Sequence, residues 1–235
     1  AREGCEVSIC GRNAVALDAA CQKLKAAGSG VLAIPCDVSK AADLERWCQA
    51  TQEELGPVDI LVTNTGGPTA ATFLDLSDAQ WAEGVESTLM NVVRLCRLVL
   101  PGMRARRWGR IVNLTSLVAK QPLPLLTISS TLRAGLSALT RNLATECASD
   151  NVLVNALLPG HVMTDRQLQL GRVRSERDGI SVERYFELAQ AEIPARRFGQ
   201  PGEIGDVAAF LCSERASYLT GASIQVDGGL VQTTL

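Results

Sequence analysis

The sequence predicts a doubly wound α/β fold with a mostly parallel sheet, in a single domain spanning residues 1–235. Three observations lead there. Short β-branched runs alternate strictly with longer segments of helical periodicity, the order that lays helices on both faces of a sheet. The runs "DILVTN" and "RIVNLTS" are continuously apolar, as strands covered on both faces are. No stretch rich in Pro, Gly and Ser, no long charge block and no repeat interrupts the pattern.

In order, strands are predicted over Cys5–Cys10, Val31–Pro35, Val58–Thr63, Arg110–Thr115, Val152–Leu157 and Ser223–Val226. Between them, helical periodicity covers Ala14–Ala27, Ala41–Leu55, Asp78–Arg106, Ser129–Ala148 and Glu203–Cys212. Right-handed crossovers between parallel strands leave the doubly wound sheet as the leading topology, with ligands beyond the carboxyl ends of the strands. Those ends are Gly11-Arg12-Asn13, Cys36-Asp37-Val38, Asn64 to Gly67, Ser116, and Pro159-Gly160-His161. Gly66 and Gly67, directly after a buried strand, let the backbone approach a ligand closely; the plain alternative is a turn. Asp37 either contacts a ligand or caps the helix that starts near Ser39.

The net charge of −2 and a pI near 5.6 speak against a nucleic-acid or membrane-surface partner, which would need a basic face. Arg104, Arg106 and Arg107 read as a solvated helix end that complements the helix dipole. The eight cysteines include no CxxC pair, and His161 is the one histidine, so no metal site is expected. Cys10, Cys36, Cys96 and Cys212 sit in apolar surroundings and read as small buried hydrophobes in a reducing compartment. With no run of about 18 apolar residues and no signal segment in view, the expectation is a cytoplasmic protein.

Five segments, "CDV" at 36–38, "NTGG" at 64–67, "GRIVNLTS" at 109–116, "VLVNALLPG" at 152–160 and "YLTGASIQVDGG" at 218–229, stand in register along the chain. Together they resemble the short-chain dehydrogenase/reductase family, and most of all its 3-oxoacyl-acyl-carrier-protein reductase-like members. The resemblance covers essentially the whole chain and implies a Rossmann-type sheet, a nicotinamide cofactor and a carbonyl or alcohol substrate. It implies cofactor contacts at Asp37, Val38, Asn64, Gly66, Pro159, Gly160 and Thr164. Arg12 ends the strand where NAD-specific relatives carry an acid, and a guanidinium there suits the 2′-phosphate of NADP. NADP is therefore expected over NAD, the alternative being an ordinary exposed arginine. The 164–193 insertion corresponds to a substrate lid. Relatives pair the two long helices across a two-fold axis, and here both are apolar on more than one face, so a homotetramer is expected.

Against this pattern stand two departures. The family's Ser, which orients the carbonyl, is Ser116. The Tyr thirteen residues later, its general acid, falls on Ser129, and the Lys four residues further falls on Arg133, which would also hold the nicotinamide ribose. A family Asn falls on Thr88. A serine is a far weaker acid than a phenol of pKa about 10, so the usual proton donation should be impaired. His161, on the loop beside the nicotinamide in relatives, and Tyr185 in the lid are the replacements to weigh; Tyr218 reads as structural.

The second departure is at the front, where no segment supplies the first strand and the glycine-rich, pyrophosphate-binding turn. That strand lies centrally, beside those at 5–10 and 58–63. Its absence would orphan two strand edges, so the natural chain is expected to be longer by roughly 25–35 residues, from ordinary element lengths. The alternatives are neighbours that close the gap or a strand borrowed from another subunit. Three functions stay open: an NADP-dependent oxidoreductase with a non-standard site, a non-redox enzyme such as a dehalogenase on the same scaffold, and a catalytically silent subunit.

Overall fold

The computed structural model describes residues 1–233. All strand pairs within its ladders are parallel. β1 (Val7–Gly11) pairs with β2 (Val31–Pro35), with Val7 opposite Val31. β3 (Ile60–Thr63), β4 (Gly109–Leu114), β5 (Val152–Pro159) and β6 (Ser223–Val226) form a second ladder in that order. β1 begins two residues later than the sequence predicts because pairing starts where the Val7 N–H meets the Gly30 carbonyl at 2.9 Å.

Helices α1 (Ala14–Lys25) and α2 (Ala41–Leu55) complete the crossovers around β2. Asn13 caps α1 by accepting from the Ala16 N–H at 3.0 Å. The long periodic segment after β3 divides into α3 (Asp78–Gly84), a π-helical stretch (Val85–Met90) and α4 (Asn91–Ala105). Ser77 and Gln80 close a capping box at the start of α3. Then come α5 (Thr127–Cys147), α6 (Asp165–Asp178), α7 (Val182–Glu192) and α8 (Pro201–Cys212). The insertion at 164–193 is thus a helical pair, α6 and α7, with its own small apolar cluster around Tyr185, Ala189, Ile193 and Phe198.

β4 and β5 are buried along nearly their whole length. On one face Val152, Val154 and Ile111 pack under α2, α4 and α5, through Leu44, Leu95, Val99 and Leu136. On the other, Val112 and Leu157 pack under Ile204 and Leu211 of α8. Of the two long helices expected to need cover from another subunit, Leu98, Leu100, Leu139 and Leu143 lie partly buried against the first cluster. Beneath the carboxyl end of the sheet Asn113 donates to Thr140 and accepts from Thr63, both at 2.9 Å. This buried polar relay locks β3, β4 and α5 in one register.

β1 and β3 do not pair. Between them lies a cavity of about 900 Å³ lined by Val7, Ile9, Ile60 and Val62, in the position of the central strand expected from the sequence. The neighbours have not closed over it.

Candidate active site

β4 delivers Ser116 to the carboxyl end of the sheet, and α5 brings Ser129 and Arg133 onto the same spot. Ser116 leaves β4 in extended conformation, its Oγ accepting from the Val118 N–H at 3.3 Å. Arg133 is buried, and its Nη1 donates to the carbonyls of Thr115 at 2.7 Å and Leu114 at 3.2 Å. Its Nε donates to Ser129 Oγ at 3.2 Å. Four residues apart on a helix, the two side chains meet by ordinary i,i+4 geometry. The Thr115 carbonyl thus ties Arg133 to the strand that carries Ser116. Carbonyl anchors of this kind leave no mark in a sequence.

A guanidinium has donors only, so the Ser129 oxygen must accept from Arg133, and its own O–H is left to donate elsewhere. No carboxylate bonds Arg133 among the described residues, and burial pushes its pKa down to about 10. Desolvation produces the shift. At neutral pH it remains a cation.

Thr88 lies in the π-helical stretch, 1% exposed, and among the described residues its Oγ1 has no hydrogen-bond partner; nor does the buried Ser130 hydroxyl. His161 is placed with the helical pair instead. It stands edge-on to Phe198 at 5.8 Å and hydrogen-bonds Gln167, and no described bond joins it to Ser116 or Ser129. Burial, then the charge of Arg174, holds its pKa below the usual value, against a smaller opposing effect of Gln167, so it is neutral at pH 7. Tyr185 is buried in the same cluster, its hydroxyl accepting from Arg174 at 3.1 Å.

At the far end of the sheet, Arg12 is exposed after β1 and makes no ion pair among the described residues. Asp37, after β2, accepts at Oδ1 from the hydroxyl and N–H of Ser39 at 2.8 and 3.1 Å. These two bonds, and more weakly Arg12, hold its carboxyl below the ordinary range. Asp37 thus closes a local turn with Ser39 and does not cap α2, whose N-cap is Lys40 with no side-chain cap bond. Val38 packs against the main core. Asn64 and Gly66 are exposed after β3. A Cβ on Gly66 would meet nothing within 4 Å and its φ is not left-handed, so nothing within the described fold requires glycine there.

Gly160 is different. A Cβ there would lie 2.7 Å from the Asp227 Cα, so close packing onto the loop after β6 already accounts for it. Its N–H donates to Val226, and Pro159 ends β5. Thr164 caps α6, accepting from the Gln167 N–H at 3.3 Å. Among the described residues no group of three or more His, Cys, Asp or Glu is placed to hold a metal ion, and no helix is long and apolar enough to cross a membrane. All eight cysteines are free; five are buried and Cys5 is exposed.

A family model described as enoyl-(acyl carrier protein) reductase matches residues 1–231. The 3-oxoacyl-acyl-carrier-protein reductase of Pseudomonas aeruginosa is 36% identical over 204 residues, 86% of this chain and 76% of that protein. Among solved structures, L-sorbose reductase of Gluconobacter frateurii, complexed with NADPH and L-sorbose, superposes with a TM-score of 0.93 at 32% identity. The match covers 99% of this chain and 89% of that one. An NADPH-bound short chain oxidoreductase of Pseudomonas aeruginosa, described as containing an atypical catalytic center, superposes with a TM-score of 0.87 at 32% identity, over 97% and 88% of the two chains.

Proposed function

From the premise that the chain belongs to the short-chain dehydrogenase/reductase family, we propose that it is an NADP-dependent carbonyl reductase whose proton donor is the Ser129 hydroxyl, backed by Arg133. The observation that carries this is the bond from Arg133 Nε to Ser129 Oγ. It takes one acceptor site of the serine oxygen, leaves its O–H free to donate, and sets a buried cation behind the oxygen that must release a proton.

NADPH would supply the hydride. The residues at both ends of its path fit it: an unpaired Arg12 for the 2′-phosphate, an open Gly66 backbone beside Asn64, and Arg133 near the ribose. Asp37, Val38, Pro159, Gly160 and Thr164 line the same carboxyl edge. Structural relatives solved with NADPH support the choice of cofactor. Ser116 orients the substrate carbonyl by donating to its oxygen. As that oxygen gains negative charge, Ser129 gives it the O–H proton, Arg133 stabilises the serine oxygen left behind, and solvent restores the proton. The α6–α7 pair at 164–193 closes over the substrate, with His161 supporting it.

The reaction should be slow, because serine is intrinsically a weak acid. Removing a general acid costs on the order of 10²–10⁴ in rate, so Ser129→Ala should lose at least about a hundredfold in kcat. Robust turnover that survives Ser129→Ala would move the role to another acid. NADPH binding without turnover of any carbonyl would favour a silent subunit.

A further inference from the structure

We propose that Arg174 of α6 recognises a carboxylate carried by the carbonyl substrate, which makes the substrates oxo acids. This rests on the reading above for the carbonyl end and adds the group that holds the other end.

Packing places the arginine. α6 and α7 meet where Gly171 leaves room for the Phe186 ring, which a Cβ at 171 would strike at 2.5 Å. Phe186 stands edge-on to Tyr185 at 5.4 Å and to Phe198 at 5.6 Å. The row ends at His161, on the loop that leaves the carboxyl end of β5. Leu230 ties this row to the candidate site. It packs both on the cluster of Tyr185 and Phe198 and on that of Leu117 and Val118, the two residues after Ser116. Arg174 lies along the row: its Nη1 donates to Tyr185 Oη at 3.1 Å, and its charge reaches His161.

What Arg174 lacks is an acid. It is half-buried, yet it forms no ion pair among the described residues. Other arginines of the two helices do: Arg177 pairs with Asp178 at 2.7 Å and Arg184 with Glu187 at 3.0 Å. Asp178 feels Arg174 only weakly beside its bond to Arg177. The neutral Tyr185 hydroxyl takes Nη1, so Nε and Nη2 have no described partner. Those two N–H groups form one edge of the planar fork, the edge that holds a carboxylate by two parallel bonds. Charge selects a carboxylate over a phosphate. His161 is neutral and brings no second cation, while Glu192 adds negative charge beside it. One guanidinium balances one carboxylate, whereas a phosphate monoester carries about −1.5 to −2 at neutral pH.

The test takes a series of methyl-ketone acids from acetoacetate to 7-oxooctanoate, each against its methyl ester, with NADPH and the folded 235-residue chain. The best-spaced acid should exceed its ester by roughly tenfold to a hundredfold in kcat/KM, mostly through KM, as one charge-assisted contact implies. Arg174→Gln should erase that preference, and Arg174→Lys should keep part of it. Arg172→Gln, at an exposed position of the same helix, should leave it intact. Hexanoate, which has no ketone to reduce, gives a readout apart from turnover: saturation-transfer NMR should show it bound to the native chain and not to Arg174→Gln. If no ketone is reduced but hexanoate binding still requires Arg174, the catalytic reading falls and the carboxylate site stands. Equal turnover of acids and esters without hexanoate binding would overturn the carboxylate site and leave the catalytic reading. A preference that survives Arg174→Gln, or that Arg172→Gln removes equally, would overturn it too. So would faster reduction of dihydroxyacetone phosphate than of any acid in the series.

Discussion

At the scale of single residues, the chemistry rests on which partners a side chain has already taken. Arg12 makes no hydrogen bond or ion pair among the described residues and acts only weakly on Asp37, which leaves its guanidinium for a phosphate. Losing a hydrogen bond to a charged group costs about 1.5–3 kcal/mol, so Arg12→Asp should weaken NADPH roughly tenfold or more relative to NADH. Fluorescence titration of both cofactors checks this, and an unchanged ratio would mean that Arg12 points elsewhere. The double change Ser129→Tyr with Arg133→Lys should raise the rate of carbonyl reduction, because it replaces an aliphatic hydroxyl by a phenol; a stopped assay on both forms decides. Ser116, Ser129 and Arg133 were all legible in the sequence as spaced positions. Their connection was not, since it runs through the Thr115 backbone carbonyl, and carbonyls carry no residue identity. His161 was legible as a loop histidine, yet its neighbours Phe198, Gln167 and Arg174 come from segments that only the packing of the helical pair brings together.

At the scale of elements, Gly160 holds the loop after β5 against Asp227. Gly160→Ala would drive a Cβ into backbone and should cost about 1–3 kcal/mol, as overpacking does; thermal unfolding measures it. At the start of α8, Glu203 accepts from the Gln200 N–H and pairs with Arg197 at 2.6 Å, and the Arg197 hydrogen bond is the largest influence pulling its pKa down to about 2. A lowered carboxylate pKa means stability present above the unfolded value, near 4.5, and lost as the pH falls toward 2. Glu203→Gln should therefore flatten that part of the acid unfolding curve, and a pH series of melting temperatures tests it. Most strand and helix positions followed from periodicity to within a few residues. The break of the 78–106 segment at 85–90 did not, because a π-helical turn preserves the apolar pattern while shifting its phase. The helices of the insertion were hidden by their polar composition.

At the scale of the molecule, the two ladders and the slot between them follow from the strand order that the sequence announced. The doubly wound arrangement places a strand between β1 and β3, and no described residue supplies it. The expected homotetramer rests on α4 and α5, part of whose apolar surplus is absorbed within the chain. Sedimentation at micromolar concentration should still give a tetramer, and a monomer would reject it. The most direct measurement is turnover of a panel of ketones and β-ketoacyl thioesters with NADPH, for the native chain and Ser129→Ala, from pH 7 to about 11, a range that brackets the lowered Arg133 pKa. Proton donation by Ser129 needs the charged Arg133, so reduction should persist while the guanidinium is protonated and fall as the pH rises through about 10. It should be nearly absent from Ser129→Ala throughout. Turnover in Ser129→Ala equal to that of the native chain would contradict it.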